Sequence, residues 1–315
     1  MLSASFDQQA LERSILKTIL YSDLFEYPLT PDEIAHYLVG MSSSADRVQA
    51  SLAGPIWLDG QITRVGSYIT TRGREALVKR RLDRALSSDR LWRRARRFVR
   101  VLGCLPFVRM VGVTGALAMH NSADGDDIDV LIVTARDRVW LTRALSVLLV
   151  YIGKFFGDTL CPNYVISENA LALEARTLFV AHEFIQMVPV YGLAVYDRMR
   201  AANCWINPLL PNATRPYRAE PELRPGMIGR AIKRLGEWLL SGRIGDLLEA
   251  WEMQRKLRKF QPQLGRPDGD AILDRDHVKG HFNDYGPPVM RLYAEQLMHF
   301  KLADSEQNYE PAISR

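Results

Sequence analysis

Apolar residues in the first part of the chain repeat at helical spacing and then alternate. The predicted elements are, in order, a helix containing Leu11, Ile15, Ile19 and Leu20, a helix from Thr30 to Leu38, a helix over 44–52, a strand over 56–58, a tight turn at Asp59-Gly60 and a strand over 62–70. Thr30-Pro31-Asp32-Glu33 gives the strongest local signal, because it combines an N-cap, a first-turn proline and early acids. Three short helices and a hairpin follow the order of a winged helix; a plain helical cap on the next domain is the alternative.

A long helical stripe follows over 73–103, and Ser87-Ser88-Asp89 predicts an interruption that caps a second helix. The pattern then changes to alternating strands and helices. These are a strand over 108–114, a strand over 128–133, a long apolar helix over 136–156 and a strand over 160–166. Such alternation predicts an α/β core with a small mixed sheet.

The rest of the chain has helical patterns over 175–187, 193–202, 227–260 and 288–300. We therefore divide the chain into a winged-helix-like domain (1–72), a basic connecting helix (73–104), an α/β core (105–168), a helical C-terminal region (169–303) and a polar tail expected to be disordered (304–315).

Composition excludes several classes of protein. With 315 residues, 47% hydrophobic and 24% charged, the chain is typical of a globular protein of about two domains. The longest apolar run, 144–153, is too short to cross a bilayer, so we expect no membrane partner. No secretory signal is visible, and Cys104, Cys161 and Cys204 lack the spacing of a disulfide or zinc framework. We expect a cytoplasmic protein with reduced thiols.

Positive charge is concentrated in one segment. The whole chain has a formal charge of +5, whereas Arg72 to Arg100 contains twelve basic and three acidic residues. One interpretation is binding of a nucleic acid through this segment. The other is a connecting helix whose polar face is solvated or salt-bridged, and the sequence leaves both open.

Candidate chemistry lies at the ends of two predicted strands. Thr114-Gly115-Ala116 follows the first, and Asp127 and Asp129 begin the next, twelve residues after Gly115. Side chains two apart in a strand share a face at about 6.6 Å along the strand. Paired carboxylates suit Mg²⁺, and a glycine turn lets the backbone approach a phosphate. The alternative is a solvated strand edge or turn within 124–129.

This stretch resembles the DNA polymerase β-type nucleotidyltransferase superfamily, whose motif is an apolar residue, Gly-Ser, a spacer and Asp-apolar-Asp-apolar. The resemblance covers about 108–166, and the whole layout is similar to bacterial nucleotidyltransferase-like proteins. It implies Mg²⁺-dependent transfer of a nucleoside monophosphate from an NTP to an acceptor that the sequence does not identify. The implied roles are metal ligation and catalysis for Asp127 and Asp129, and phosphate binding for Thr114, Gly115 and Ala116.

The chain departs from the family pattern at two positions. Ala116 stands where the family has serine, which removes a hydroxyl that would bond a phosphate. Asn163 stands where the family has a third carboxylate on the following strand. An amide can orient an acceptor hydroxyl but cannot take its proton. Asp158 and Glu168 are nearby carboxylates that could replace it.

A second function class is a regulatory or nucleic-acid-binding protein with a degenerate transferase core, which would use the winged helix and the arginines. Weaker candidate sites are the histidines His277 and His281, separated by the helix breaker Gly280, and His182 beside Glu183 on an apolar helix, which is typical of a core histidine. P-loop, Rossmann and serine-hydrolase motifs are absent from the sequence.

Overall fold

The computed structural model describes residues 2–54, 60–154, 160–264, 272–279 and 285–302. Its N-terminal part has helices α1 (Leu2–Asp23), α2 (Pro31–His36) and α3 (Ala45–Ala53), then strands β1 (Ile62–Val65) and β2 (Tyr68–Thr71). The three predicted helices are confirmed. α2 begins where predicted because Thr30 and Glu33 form a capping box, in which each side chain bonds the other residue's backbone N–H. It ends at His36, before the predicted Leu38.

The hairpin differs from the prediction. The stretch 62–70 was expected to be one strand, but it contains both strands, which turn back at Gly66-Ser67. Gly66 has φ of +60°, a conformation that glycine adopts without steric cost, and this makes it the turn residue. The predicted strand over 56–58 and Asp59 lie outside the described residues. Leu29, between α1 and α2, pairs with Ile69 of β2. The winged-helix assignment itself stays a prediction.

The connecting segment is a single helix, α4 (Ala76–Leu102), and the predicted interruption at 87–89 is wrong. Ser88 is fully buried inside the helix. Its hydroxyl donates to the carbonyl of Arg84 one turn earlier, and it accepts a bond from the backbone N–H of Ser122. The serine is therefore satisfied in mid-helix, and it does not cap a new one.

The main sheet has five strands in the order β6-β3-β4-β5-β7. They are β3 (Val108–Val113), β4 (Ile128–Thr134), β5 (Leu160–Ser167), β6 (Val188–Tyr191) and β7 (His277–Lys279). β4 and β5 are parallel, and the other neighbours are antiparallel. The predicted mixed α/β core is thus confirmed at the level of fold class. β6 and β7 come from the region expected to be helical, because strands of three or four residues are too short to show alternation.

The remaining helices are α5 (Gly115–Ala118), α6 (Val139–Lys154), α7 (Leu178–Gln186), α8 (Leu193–Ala202), α9 (Met227–Leu240), α10 (Arg243–Leu264) and α11 (Gly286–His299), with a 3-10 turn at Cys204–Ile206. The predicted helix over 227–260 is broken at Ser241-Gly242. A Cβ on Gly245 would lie 1.7 Å from the carbonyl oxygen of Leu240, so the two helices meet more closely than a side chain permits. The predicted tail at 304–315 lies outside the described residues.

Two hydrophobic cores lie on opposite faces of the sheet. Ile128, Val130 and Ile132 of β4 face the core that contains α4 and α6. Leu131 and Val133 face the other core, where α1, α2, α7, α8 and α11 pack together. The alternation along β4 produces this division. The N-terminal helices therefore share a core with the C-terminal ones. Among the described residues, no helix is long and apolar enough to cross a membrane.

Candidate functional site

A cavity of about 670 Å³ lies between the N-terminal helices, one end of the sheet and α7. This volume is within the ~300–1,000 Å³ typical of small-molecule sites. Among the residues that line it are five of the six sequence-predicted site residues: Thr114, Gly115, Ala116, Asp129 and Asn163. The structure thus brings residues from three separate segments to one end of the cavity.

Gly115 and Asp129 are in close contact. The backbone N–H of Thr114 donates to the carbonyl of Asp129 at 3.0 Å, which holds the end of β3 against β4. Gly115 follows with φ of +65°, and a Cβ there would lie 2.6 Å from Oδ2 of Asp129. Only glycine satisfies both the conformation and the close approach. The turn therefore places the backbone at the start of α5 directly beside the carboxylate.

Asn163 reaches Asp129 because of an irregularity in β5. Val130 pairs with Pro162 and Leu131 pairs with Tyr164, so Asn163 is an extra residue between two aligned pairs. Such bulges redirect a side chain. The Asn163 Nδ2 atom donates to Oδ1 of Asp129 at 2.5 Å, while the buried Oδ1 of Asn163 has no hydrogen-bond partner. The parallel pairing of β4 and β5 makes this meeting possible.

The two predicted carboxylates, Asp127 and Asp129, have different surroundings in the structure. Asp127 is exposed in the segment just before β4 and is not among the residues that line the cavity, whereas Asp129 is half-buried and lines it. Because β4 begins at Ile128, the rule that alternate residues share a face does not extend to Asp127. No cluster of three or more His, Cys, Asp or Glu side chains suited to a metal occurs in the described parts of the chain.

The corner at Asp129 nevertheless contains oxygen atoms that could hold a hard divalent cation. Its carboxylate and the unpartnered amide oxygen of Asn163 are both oxygen donors, and Mg²⁺ is commonly held by one or two carboxylates together with substrate phosphates. The buried oxygen of Asn163 would gain a partner from a bound cation or from a substrate hydroxyl, which removes the energetic cost of leaving it unsatisfied.

Sequence reasoning missed the aromatic wall of the cavity. Tyr21 of α1, Tyr37 after α2, Phe179 of α7 and Tyr164 of β5 all line it. Tyr27 does so as well, and its hydroxyl donates to the carbonyl of Met119 at 2.7 Å, which ties the N-terminal part to the segment after α5. These residues come from distant parts of the chain and form no local motif, so no spacing signal could identify them.

His182 is a buried residue, as predicted, and it also lines the cavity. Its ring stacks on Tyr21, with centroids 4.1 Å apart and planes 14° from parallel. Its Nδ1 contacts the side-chain amide of Gln186, and Nε2 has no hydrogen-bond partner. Burial lowers the pKa of His182 to about 3, with a smaller contribution from His36. The imidazole is therefore neutral at physiological pH.

This shift predicts a pH dependence of stability. Between pH 6.5 and pH 3 the unfolded chain binds a proton at His182 and the folded chain does not, so the free energy of unfolding falls as pH falls. One such group contributes about 1.4 kcal/mol per pH unit. We expect His182→Phe to flatten the slope measured by urea denaturation at pH 7, 6, 5 and 4. Equal slopes in the wild type and the variant would contradict the assignment.

Most of the basic residues on and near α4 are bound to acids. Ion pairs involve at least seven of the twelve basic residues between 72 and 100: Arg74, Lys79, Arg80, Arg81, Arg84, Arg90 and Arg96. Arg93, Arg97 and Arg100 are exposed. These pairs favour the salt-bridged interpretation for much of the segment, and nucleic-acid binding by the exposed arginines stays a prediction.

The other weaker candidates, His277 and Glu168, are not among the residues that line the cavity. His277 is in β7 and its ring contacts Asp274, while His281 and Asp158 lie outside the described residues. Glu168 forms an ion pair with Arg198 at 3.5 Å and is not among the cavity-lining residues.

No protein-family profile, curated protein or solved structure matches this chain. Its function is therefore inferred from the geometry and chemistry of the cavity itself.

Proposed function

We propose that this protein is a Mg²⁺-dependent nucleotidyltransferase that transfers a nucleoside monophosphate from an NTP to an acceptor bound in the cavity. The observation that carries this proposal is the meeting of the Gly115 turn, the Asp129 carboxylate and the Asn163 amide at one end of a large cavity. The same order of strand, glycine turn, acidic strand and following strand is the one that the resemblance to polymerase β-type nucleotidyltransferases implies.

Each residue of this corner has a distinct task in the proposed reaction. The backbone at Thr114, Gly115 and Ala116 binds phosphate oxygens, because a positive-φ glycine turn leaves room for a close approach. Asp129 would hold the metal, with Asp127 as the second ligand that the motif implies. A bound Mg²⁺ offsets the negative charge of the triphosphate.

Two further side chains suit the substrates. Asn163 accepts or donates hydrogen bonds but cannot act as a base, so its task is to orient the attacking hydroxyl of the acceptor. Lys279 of β7 also lines the cavity and supplies positive charge for the phosphates. The aromatic wall on the N-terminal side offers stacking surfaces for the base or the acceptor.

Thermal unfolding with and without Mg²⁺-NTP tests the proposal. A ligand that binds only the folded state adds about 2.7 kcal/mol of stability at 100 times its dissociation constant, which raises Tm. We expect such a rise with at least one of the four ribonucleotides or their deoxy forms. Absence of a shift with every one of them would overturn the proposal.

A matched pair of glycine variants tests whether the turn at Gly115 binds the phosphates. Gly115→Ala should abolish the Mg²⁺-NTP shift, because the new Cβ would collide with the carboxylate of Asp129. Gly125 has a comparable φ of +91° but open space around it, so Gly125→Ala carries the same backbone strain without the collision. We expect both variants to lower Tm and only Gly115→Ala to lose the nucleotide response. Loss of the response in both would contradict this role of the turn.

A catalytically degenerate core in a nucleic-acid-binding protein is the second candidate. Ala116 lacks the hydroxyl and Asn163 lacks the carboxylate of an active family member, and the exposed Arg93, Arg97 and Arg100 are available to a polyanion. Binding of DNA or RNA that weakens steeply with salt, together with no turnover of any NTP, would favour this function over transfer.

A further inference from the structure

Two consecutive helices, α9 and α10, turn their large apolar side chains away from the protein. The exposed residues are Met227, Ile228, Ile232, Leu235, Trp238 and Leu239 of α9, and Ile244, Leu247, Leu248 and Trp251 of α10. Trp238 is 73% exposed and Trp251 is 61% exposed. At 3.6 residues per turn the α9 set falls within an arc of about 140° and the α10 set within about 100°. The apolar face in contact with solvent therefore runs along α9 and along residues 244–251, the first part of α10.

The opposite face of α9 binds the protein through polar and small residues. Lys233 donates to the carbonyl of Val108 and to the hydroxyl of Tyr191, and Glu237 accepts from the backbone N–H of Phe107 at 3.0 Å and from Arg109 at 2.8 Å. Glycines complete this face: a Cβ on Gly236 would lie 3.2 Å from the ring of Pro106, and one on Gly229 would lie 2.4 Å from Sγ of Cys104. An ordinary surface helix has the reverse orientation, with its apolar face toward the core.

α10 is attached in the same way. Asp246 binds Arg138 at 2.7 Å, and Glu249 accepts from the backbone N–H groups of Trp140 and Leu141 at 2.8 and 2.7 Å, where it caps the start of α6. These directional bonds fix which side of the helix faces inward. The polar bonds on the inward side of both helices therefore determine that their apolar side chains face outward.

The charges of α9 and α10 indicate what covers this face. Residues 227–264 contain eight basic and four acidic residues, and each acid is bound to a protein partner: Glu237, Asp246 and Glu249 as above, and Glu252 to Arg255. The exposed cations are Arg230, Arg234, Arg243, Arg255, Arg258 and Lys259, of which Arg255 is paired with Glu252. By helical rotation Arg230 and Arg234 border the apolar arc of α9. The outward side thus combines aliphatic residues, tryptophan and positive charge.

We propose that α9 and α10 dock on the surface of a bilayer that contains anionic phospholipids. Helices with a basic polar border and a Trp-rich and Leu-rich apolar face bind in the plane of such an interface, where arginine stems extend along the apolar region and their heads reach the phosphates. A second copy of this chain fits less well, since apposed faces would bring like charges together. The proposal departs from the sequence-based expectation of no membrane partner. That expectation rests on the shortness of the apolar runs, which concerns membrane-spanning segments and not docking on the surface of a bilayer.

The test is co-sedimentation of the full chain with vesicles, either phosphatidylcholine alone or phosphatidylcholine with phosphatidylglycerol. We expect binding to the mixed vesicles only, with a blue shift of tryptophan fluorescence. Because a basic residue near an anionic surface contributes about fivefold to binding, Arg230→Glu with Arg234→Glu should weaken binding at least about 25-fold. Trp238→Ser with Trp251→Ser should also abolish most of it. Leu86→Ser on α4, an equally exposed apolar residue at 62%, is the control that should bind as wild type.

Three results would overturn the proposal. The first is no binding of the wild type to the mixed vesicles. The second is equal loss of binding in the Leu86→Ser control. The third is a stable wild-type dimer in sedimentation velocity that does not bind vesicles and that dissociates when Trp238→Ser and Trp251→Ser are introduced. This result would assign the apolar face to a second copy of the chain. Circular dichroism melting of each variant separates loss of binding from loss of folding.

Discussion

Asp129→Asn is expected to abolish the rise in Tm that Mg²⁺-NTP produces in the wild-type protein. The amide has the shape of the carboxylate but lacks its charge, so it cannot offset a divalent cation bound with a triphosphate. The change should be specific to the ligand, because Asp129 is only half-buried and its bond to Asn163 can be replaced by an amide pair. The measurement is Tm with and without Mg²⁺-NTP, together with isothermal titration of both proteins.

Two further variants show whether the effect of Asp129→Asn is specific to the metal site. Asp197→Asn removes an exposed carboxylate of α8 that does not line the cavity, and it should respond to Mg²⁺-NTP as the wild type does. Asp127→Asn tests the ligand set that the motif implies: equal loss in both variants supports two carboxylate ligands, and loss only at Asp129 confines the metal to the cavity. A changed Tm with undiminished nucleotide affinity in Asp129→Asn would contradict its role as a ligand.

Glu33→Gln is expected to produce the largest loss of stability, about 3–5 kcal/mol, because it leaves a buried cation without its counter-ion. Glu33 is 2% exposed and bonds Nη2 of Arg81 at 2.7 Å and the hydroxyl of Tyr27 at 3.1 Å. Arg81 also donates to the carbonyl of Pro28 and stacks over the ring of Tyr27 at 3.8 Å. This cluster joins α4 to the N-terminal helices.

An exposed ion pair on the same helix provides the control. Lys79 and Asp83 are bonded at 2.8 Å, but both side chains are more than half exposed, so Asp83→Asn should change the free energy of unfolding far less than Glu33→Gln does. Urea denaturation of the two variants and the wild type measures the difference. Similar losses of stability in Glu33→Gln and Asp83→Asn would show that burial does not govern the strength of the Arg81–Glu33 pair.

Local signals predicted the elements well. The capping sequence at Thr30 fixed the start of α2, and the glycine after a short apolar strand marked the turn that lies beside Asp129. The predictions of elements were wrong where another local sequence signal was stronger or where the element was too short to show a pattern. Gly66 makes a turn inside the stretch 62–70 that was predicted to be one strand, and β6 has four residues that continue an apolar helix pattern.

The sequence predicted which residues belong to the site from their order along the chain, but it did not predict the contacts between them. The position of Asn163 on the next parallel strand follows from the order of elements, but the bulge that brings its amide to Asp129 depends on pairing between two strands. The contribution of Tyr21 and His182 depends on the packing of α1 against α7 and α11, which residues far apart in sequence determine together. Long-range packing of this kind has no periodic signature.

The packing of the first helix against the last one has a consequence for biosynthesis. Tyr293 of α11 donates to the carbonyl of Lys17 in α1, across 276 residues of sequence. At the ~5–20 residues per second of translation, α1 leaves the ribosome tens of seconds before its partner does. During that interval the apolar face of α1, with Leu11, Ile15 and Ile19, is only partly covered. Because such non-local contacts also form slowly, the nascent chain is expected to depend on a chaperone that shields this helix until α11 arrives.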